Sequence, residues 1–362
     1  MADTLYFSRD TQVFIKIGSN IWSMPVLDGF SFSQATNASE ITLNEAADTS
    51  GNSRRGRQMF TDSYAPAEWS FSTYMRPFKS AGSGAGAADD TQNSHHGVEE
   101  VLWALMVGDA TYSSFSFTGF TADTTDLDIT FANSNKTTLG TADFFFVMGG
   151  AGSGTKTTYK IEGCVVNEAS VDFDIDGIAT INWSGFGKII TEDTAPTATV
   201  TEATTDTSNF IRNRLTSLTI SSTSPTNTTY DVVLTGGNIT ISNNITFLTP
   251  ETLGVVNQPL GHVTGTRSVS GNFTCYLNAE ANSSADLFEN IIEGTSTITN
   301  DFDLLFKVGG TAAPRVEFAM TDCHLEVPTH SIDDVISLET NFHALPSTIS
   351  GTDELTIKYV GA

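Results

Sequence analysis

The sequence predicts a mainly β protein, a β-barrel or β-sandwich with one flanking α-helix in each of two tandem domains. Its composition, an internal repeat and two short helical patterns lead to this expectation. Only 16% of the 362 residues are charged, against about 25% in ordinary soluble domains, and Thr, Ser, Asn and Gly take their place. Because β-branched Thr favours strands, this composition indicates sheets rather than helices.

Five segments of the first half recur in the second half in the same order. One such match would be weak, whereas five in a fixed order indicate an internal duplication. We therefore expect a first domain at 1–190 and a second at 210–362, joined by a Thr-rich linker at 191–209. The matched pairs are 26–43 with 233–248, 71–75 with 273–277, 98–108 with 284–294, 144–150 with 304–310, and 160–166 with 319–325.

Each half then predicts the same order of elements. A first strand and a second strand with partial alternation of apolar and polar residues are followed by a long loop and a return strand. One helix comes next, and three or four further strands complete each half. The expected opening strands are 11–18, 30–43 and 69–75 in the first half, and 213–222, 238–247 and 271–277 in the second.

The predicted helices have one apolar face each. In the first half the apolar residues occupy positions i, i+1, i+4 and i+5, which lie on one side of a helix. Gly108 follows them and is a typical helix stop signal. The same pattern, ending at Gly294, recurs in the second half. The apolar positions are Val101, Leu102, Leu105 and Met106 in the first helix, and Leu287, Phe288, Ile291 and Ile292 in the second.

The charge balance limits the possible partners. The chain has 17 Lys+Arg against 42 Asp+Glu, a formal net charge of −25. Because nucleic-acid binding depends on Lys and Arg that neutralise phosphates, we expect no tightly held DNA or RNA. We also expect no signal peptide at the start and no membrane span, since no apolar run approaches about 20 residues.

No set of residues predicts catalysis, a metal site or a cofactor. The segment 172–177 opens like an EF-hand loop, yet Trp183 stands where the bidentate Glu is required. The segment 149–156 has a threonine at the P-loop lysine position, so a hairpin turn is the better interpretation. His95 and His96 have no third ligand at a zinc-like spacing. We therefore expect no enzyme.

The three aspartates of 172–177 are interpreted instead as the acidic face of a strand. Asp172, Asp174 and Asp176 alternate with Phe173 and Ile175, as expected where one face of a strand is apolar and the other polar.

The chain resembles the tail tube proteins of long-tailed bacteriophages in the order of its elements. That order is a strand pair, a long loop, a return strand, a flanking helix and closing strands, and it covers nearly the whole chain. The segment 209–220, NFIRNRLTSLTI, is also similar to tail tube sequences. The resemblance implies a structural virion protein, the major subunit of the tail tube.

The family's architecture implies the partners. Such proteins form hexameric rings that stack into a hollow conduit for DNA ejection, and versions with two copies of the domain build the ring from three chains. The resemblance thus implies a homotrimeric, pseudo-hexameric ring and contacts with tail tip and terminator proteins. It also implies assembly in the host cytoplasm and residence in the virion tail. Phage DNA would pass through an acidic, polar lumen without specific binding, and Asp172, Asp174 and Asp176 are expected to face that lumen or the outer surface.

Two other functions remain open at this point. A tube component of a bacterial contractile injection or secretion system would share the fold, although such chains are usually short and carry one copy. A secreted β-sandwich adhesin would fit the Thr- and Asn-rich strands, although the expected absence of a signal peptide opposes it.

Three arginines within four positions stand out in so acidic a chain. Arg54, Arg55 and Arg57 lie in the long first-domain loop, about 44–66, which in the resembling family reaches the adjacent ring. Stacked rings of like charge repel one another unless opposite charges meet at the junction. We therefore expect these arginines to form an inter-ring contact, with a solvated basic turn as the alternative.

Overall fold

A computed structural model describes residues 6–42, 49–52, 57–83, 91–108, 110–131, 138–149, 156–200, 207–222, 228–293, 302–332 and 334–362. Within these ranges most of the regular structure is strand, with two α-helices and three short 3-10 helices. The prediction of a mainly β protein is confirmed.

The strands and α-helices are numbered in chain order. Up to residue 200 they are β1 (Gln12–Ile17), β2 (Asn20–Met24), β3 (Ser31–Thr42), β4 (Arg57–Tyr74), β5 (Pro77–Lys79), β6 (His95–Gly97), α1 (Glu100–Val107), β7 (Tyr112–Ser113), β8 (Ser116–Phe117), β9 (Phe120–Ala122), β10 (Leu127–Thr130), β11 (Ala142–Met148), β12 (Thr157–Phe173), β13 (Thr180–Gly187) and β14 (Ile190–Glu192). From residue 207 they are β15 (Ser217–Ser222), β16 (Thr228–Asp231), β17 (Leu234–Ser242), β18 (Thr246–Leu248), β19 (Gly261–Val263), β20 (Ser268–Tyr276), α2 (Ser284–Glu293), β21 (Phe302–Val308), β22 (Arg315–Leu325), β23 (Thr329–Ile332), β24 (Ile336–Ala344) and β25 (Thr356–Val360).

One antiparallel sheet runs through both halves of the chain, and we call it the central sheet. Its order is β3, β4, β13, the second half of β12, β17, β20 and β24. The end of β22, followed by β23, pairs with the far side of β24 and forms the last strand. The two halves of the chain meet where β12 pairs with β17.

Further strands cover one side of the central sheet. In the first half, β2, β1, β11 and the first half of β12 pair in that order. In the second half the order is β16, β15, β21, β22, β25, β10 and β9. β25, near the end of the chain, therefore lies between a strand of each half.

The core fills the space between the central sheet and these covering strands. Trp103 of α1 packs edge-on against Trp183 of the central sheet, with ring centroids 4.8 Å apart, and lies 6.3 Å from Phe318 of β22. Trp69 of β4 packs on Phe144 of β11 at 4.6 Å. Aromatic contacts of this kind join both halves to one continuous core.

The first helix differs from its prediction in burial. All eight residues of α1 are buried, whereas the sequence pattern predicted a helix with only one buried face. Trp103 of α1 donates a hydrogen bond from Nε1 to the hydroxyl of Tyr359 in β25 at 2.6 Å, and β25 pairs in turn with β10. The segment carrying β7–β10 and the last strand thus enclose the face that was expected to be exposed. α2 keeps exposed residues, including Ile292.

The central sheet is open, so the barrel form of the fold prediction is not found in the single chain. Among the described residues, β3 pairs only with β4, and β23 pairs only with β24. Both outer edges of the central sheet therefore keep backbone donors and acceptors that no described strand of this chain uses.

A buried polar network ties α1 to the end of the chain. Glu99, directly before α1, accepts a hydrogen bond from the Tyr359 hydroxyl at 2.7 Å and one from the backbone N–H of Arg76 at 3.2 Å. Burial raises the pKa of the Glu99 carboxyl from 4.5 to about 7, although the Tyr359 hydrogen bond and the Arg76 charge both lower it.

Glu99 predicts a pH dependence of stability. A carboxyl whose pKa is raised by folding favours the folded state fully below its unfolded pKa, near 4.5, and loses this contribution as pH rises through about 7. The corresponding change in the free energy of unfolding is on the order of 3 kcal/mol. We expect Glu99→Gln to remove this decline, as measured by urea unfolding between pH 4.5 and 8. Parallel pH profiles of the variant and the unmodified protein would contradict this assignment.

Candidate assembly surface

The two faces of the central sheet differ in chemistry because its strands alternate. The face toward the covering strands is buried and carries Trp69, Phe71, Ala169, Val171, Ile181, Trp183, Ile239, Ile241, Phe273 and Phe342. The opposite face carries the residues between them, which are partly or fully exposed: Ser70, Ser72, Ser170, Asp172, Asn182, Ser184, Asn238, Thr240, Ser270, Asn272 and Asn341. We call this second surface the polar face.

Hydrogen bonds cross the polar face from strand to strand. The Ser72 hydroxyl donates to Oδ1 of Asn182 at 2.7 Å, and Nδ2 of Asn182 donates to Oδ2 of Asp172 at 3.3 Å. Ser31 and Ser70 share a hydrogen bond of 2.9 Å. Side chains of three neighbouring strands are thereby held against the sheet.

The charges on the polar face are acidic. Its carboxylates include Glu68, Glu168, Asp172 and Glu339, and Glu326 accepts a hydrogen bond from Asn341 at its edge. No Lys or Arg occurs in 67–74, in 165–173 or in the whole of β13, β17, β20 and β24. A surface of this composition offers hydration without the cations that bind phosphate groups.

The three predicted aspartates lie at one end of this surface. Asp172 is within β12, and Asp174 and Asp176 follow in the turn to β13, where Gly177 has a φ of +104°. Oδ1 of Asp174 accepts a hydrogen bond from the backbone N–H of Ile175 at 2.6 Å. Asp176 lies 3.7 Å from Arg214, and both side chains are exposed.

The two ends of the central sheet can be told apart by register. At one end Ala67 pairs with Gly187 and Ser242 pairs with Ser268; β3 and β4 continue beyond this end, which we call the arm end. At the other end β12 turns into β13, and β23 turns into β24. We call it the turn end.

The arm is the extension of β3 and β4, residues 36–42 and 57–64. Its apolar side chains Ile41, Met59 and Phe60 are exposed, Met59 by 63%. Arg57 begins β4, and its Nη1 lies 3.3 Å from Oε1 of Glu40. Arg54 and Arg55 lie outside the described residues.

A second projection from the arm end is the segment between β18 and β19, which we call loop 249–260. Leu253 is 100% exposed, and Val255, Val256 and Leu260 are also exposed. The backbone of Asn257 bonds to the arm, since its oxygen accepts from the N–H of Tyr64 at 2.9 Å and its N–H donates to the oxygen of Asp62 at 3.1 Å. The arm and the loop therefore form one apolar projection.

The turn end exposes apolar side chains beside its charged ones. Exposed aliphatic side chains occur in the turns and strand termini there: Ile175, Val233, Leu277, Ile332 and Val335. Sequence reasoning singled out charged residues and missed these apolar ones. The sequence pattern placed Ile175 and Leu277 within strands, where aliphatic residues are usual, so it gave no signal for them.

The described residues contain no candidate metal centre. No three of their His, Cys, Asp or Glu side chains are close enough to hold a metal ion. The imidazole of His95 accepts a hydrogen bond at Nδ1 from the backbone N–H of Gly361 at 2.7 Å, and Nδ1 of His96 lies 3.1 Å from Oε2 of Glu100. Both histidines are buried and used within the fold. No helix in the described ranges is long and apolar enough to cross a membrane.

Comparison with known proteins gives two matches. Residues 42–344 match the family model described as "Phage tail tube protein". The chain is also similar to the tail tube protein pb6 of Escherichia phage T5, with 30% identity over 367 aligned positions that cover 97% of this chain and 75% of the relative.

Proposed function

Because the chain belongs to the phage tail tube protein family, we propose that it is the major tail tube subunit and polymerises into stacked rings that form a hollow conduit for DNA ejection. Family membership implies a non-enzymatic structural role in the virion tail. The observation that carries the proposal is the central sheet with both edges open. An edge strand with free backbone groups is a template for pairing with another chain.

The ring forms by lateral joining of these edges. Addition of subunits edge to edge is a heterologous contact, which closes into a ring when the rotation per subunit divides a full turn. The two halves of the chain repeat one pairing order, β3–β4–β13–β12 and β17–β20–β24–β22. This supports two tail tube domains per chain, and hence a trimeric ring with pseudo-sixfold symmetry.

The polar face lines the lumen of the ring. Carboxylates without neighbouring Lys or Arg repel DNA phosphates, so the genome passes without being held. Asp172 then faces the channel, while Asp174 and Asp176 lie at the rim of each ring. The apolar face needs no further cover, because the covering strands already bury it.

Rings stack by placing the arm end of one ring on the turn end of the next. Both ends expose aliphatic side chains, and their burial supplies the free energy of stacking. We propose that Arg54, Arg55 and Arg57 meet carboxylates of the adjacent ring. Tail tube proteins self-assemble and contact other tail proteins; for this chain we propose the tail tip and terminator proteins as end partners and the host cytoplasm as the site of assembly.

Electron microscopy of the purified full chain tests this function. We expect rings with threefold symmetry, or tubes built from them, and a mass of three chains per ring. A protein that stays monomeric at high concentration, in the presence of tail tip complexes as nuclei, would refute the proposal.

The arginine contact has its own test. We expect the triple variant Arg54→Ser, Arg55→Ser and Arg57→Ser to fold normally and to need a several-fold higher concentration for tube growth. Each exposed ion pair contributes about 0.2–1 kcal/mol, and the contacts repeat around the ring. Sedimentation of tubes at low and high salt measures the effect, which should shrink as salt screens the wild-type contact. Arg9→Ser is the control, and unchanged tube growth by the triple variant would contradict the contact.

A further inference from the structure

The chain contains within itself a junction of the kind that a ring requires. Inside the chain, β12 of the first half pairs with β17 of the second half, antiparallel, from Glu168 opposite Ser242 to Phe173 opposite Gly237. The two open edges of the central sheet belong to strands in corresponding places. β3 stands beside β4 as β17 stands beside β20, and the segment 323–332 stands beside β24 as β12 stands beside β13.

The correspondence holds residue by residue. Ser31 pairs with Ser70 of β4, and Asn238 pairs with Asn272 of β20. Ser70 and Asn272 are as far apart in sequence as the matched segments 71–75 and 273–277, so they occupy equivalent positions in the two halves. Ser31 on the open edge of β3 therefore takes the place that Asn238 takes in β17.

The other edge follows the same rule. β12 shifts register against β13 between Val166 and Glu168. The pairing with β24 also shifts by one residue, between Leu325 and Thr329. When the two register shifts are aligned with each other, Ser331 beside β24 corresponds to Asp172 beside β13.

We infer that neighbouring chains join by antiparallel pairing of β3 in one chain with the segment 327–332 in the next, in the register of the internal β12–β17 junction. This inference rests on the proposed function and specifies its lateral contact. The resulting pairs are Ala35 with Val327, Gln34 with Pro328, Ser33 with Thr329, Phe32 with His330, Ser31 with Ser331, and Phe30 with Ile332.

Side chains across the internal junction support this register. The ring of Phe173 in β12 stacks on Phe306 of β21, with centroids 5.2 Å apart and planes within 11°. Phe306 of β21 pairs with Phe318 of β22. Phe146 of β11 is the equivalent of Phe306 in the first half, where it pairs with Tyr159 of β12. At the junction between chains, Ile332 replaces Phe173 and reaches Phe146.

The surface that Ile332 would reach is aromatic and incompletely covered. Phe146 stacks on Phe30 at 5.4 Å and on Phe32 at 4.6 Å. Phe30 and Phe32 are only half-buried, and Ile332 is 77% exposed. Joining the chains in this register buries apolar groups on both sides of the contact.

The register also keeps the two faces of the sheet continuous. Ser31 and Ser331 fall in line with Asp172 and Asn238 on the polar face. Phe32 packs against Phe146, and His330 packs edge-on against Phe288 of α2 at 4.8 Å, so both lie on the covered face. A slip of one residue would turn aromatic side chains toward the polar face.

Disulfide trapping in the full chain tests the register. The double variant Ser31→Cys and Ser331→Cys places thiols on directly opposite residues, within the Cα separation that a disulfide spans. After mild oxidation we expect covalent dimers and trimers on a non-reducing gel. The native Cys164, Cys275 and Cys323 are buried and free, so they should not compete. An intramolecular bridge in Asp172→Cys with Asn238→Cys is the positive control for oxidation.

A shifted pair separates the register from the assembly itself. Ser33→Cys with Ser331→Cys lies two residues out of register, and we expect at least tenfold less cross-linking from it. Rings that form while the shifted pair cross-links best, or while neither pair does, would overturn the register and leave the proposed function standing. Absence of rings from every variant and from the unmodified protein would instead overturn the proposed function.

Discussion

Ile332→Asp is expected to prevent ring formation while leaving the subunit folded. In the lateral junction between β3 and the segment 327–332, Ile332 enters an aromatic surface formed by Phe30, Phe32 and Phe146. A carboxylate placed there loses water without gaining a partner, which costs about 2–5 kcal/mol at each junction. That cost corresponds to a contact weaker by roughly 30-fold to several thousand-fold. Because every junction of the ring carries the substitution, closed rings should disappear at the concentrations where the unmodified protein forms them.

The same substitution should have little effect on the isolated chain. Ile332 is 77% exposed there, so its replacement leaves no cavity, and exposed sites usually change stability by less than about 0.5 kcal/mol. Phe115→Asp is the matched control, because Phe115 is also a large exposed apolar residue, at 48%, and lies in the β7–β8 turn, which belongs to neither edge strand. Electron microscopy and static light scattering measure ring formation, and thermal unfolding checks the fold. Normal rings from Ile332→Asp would show that this edge does not form the lateral contact.

The internal junction is reinforced in a way that the junction between chains is not. Besides the β12–β17 pairing, the halves are joined by β10 and β25, where Nζ of Lys358 lies 2.7 Å from Oδ1 of Asp128 and 3.2 Å from Oδ2 of Asp126. β10 belongs to the segment 109–141 of the first half. In the second half only residues 294–301 lie between α2 and β21. The lateral contact thus depends on the sheet edge, and single substitutions there should act strongly.

Local patterns predicted the strand-rich class and the positions of both helices. Val101, Leu102, Leu105 and Met106 belong to α1 as expected. Their spacing gives no information on what covers the other side of the helix, because β25 lies some 250 residues further along the chain. Long-range pairing of this kind is set by the whole fold rather than by the pattern within a window.

Local sequence patterns also predicted the site residues only in part. Alternation predicted a polar strand at Asp172, and β12 carries it. Asp174 and Asp176 continue the alternation in sequence but follow the last strand residue, Phe173, since the chain turns at Gly177. The predicted loop 44–66 also differs, because β4 already begins at Arg57 and its first residues form the arm. Whether an alternating segment stays paired depends on its neighbours, which the sequence does not name.

The second large effect is expected from loop 249–260, where Leu253→Asp combined with Val255→Asp should leave rings intact and prevent their stacking. Leu253 is fully exposed in the single chain, and burying a leucine side chain contributes about 1.5–3 kcal/mol. Replacing two such side chains by carboxylates in every chain removes this gain and adds repulsion between rings that already carry a large negative charge.

Electron microscopy should then show single rings with no tubes at concentrations where the unmodified protein forms long tubes. Phe115→Asp is again the control, since it adds a carboxylate outside the loop and the arm. The two variants should differ in the species that accumulates. Ile332→Asp should remain as free chains, whereas the loop variant should remain as single rings. Tubes of normal length from the loop variant would contradict the assignment of the arm end to stacking. Loss of both rings and tubes would show that the loop acts within the ring, through the Asn257 contact with the arm, rather than between rings.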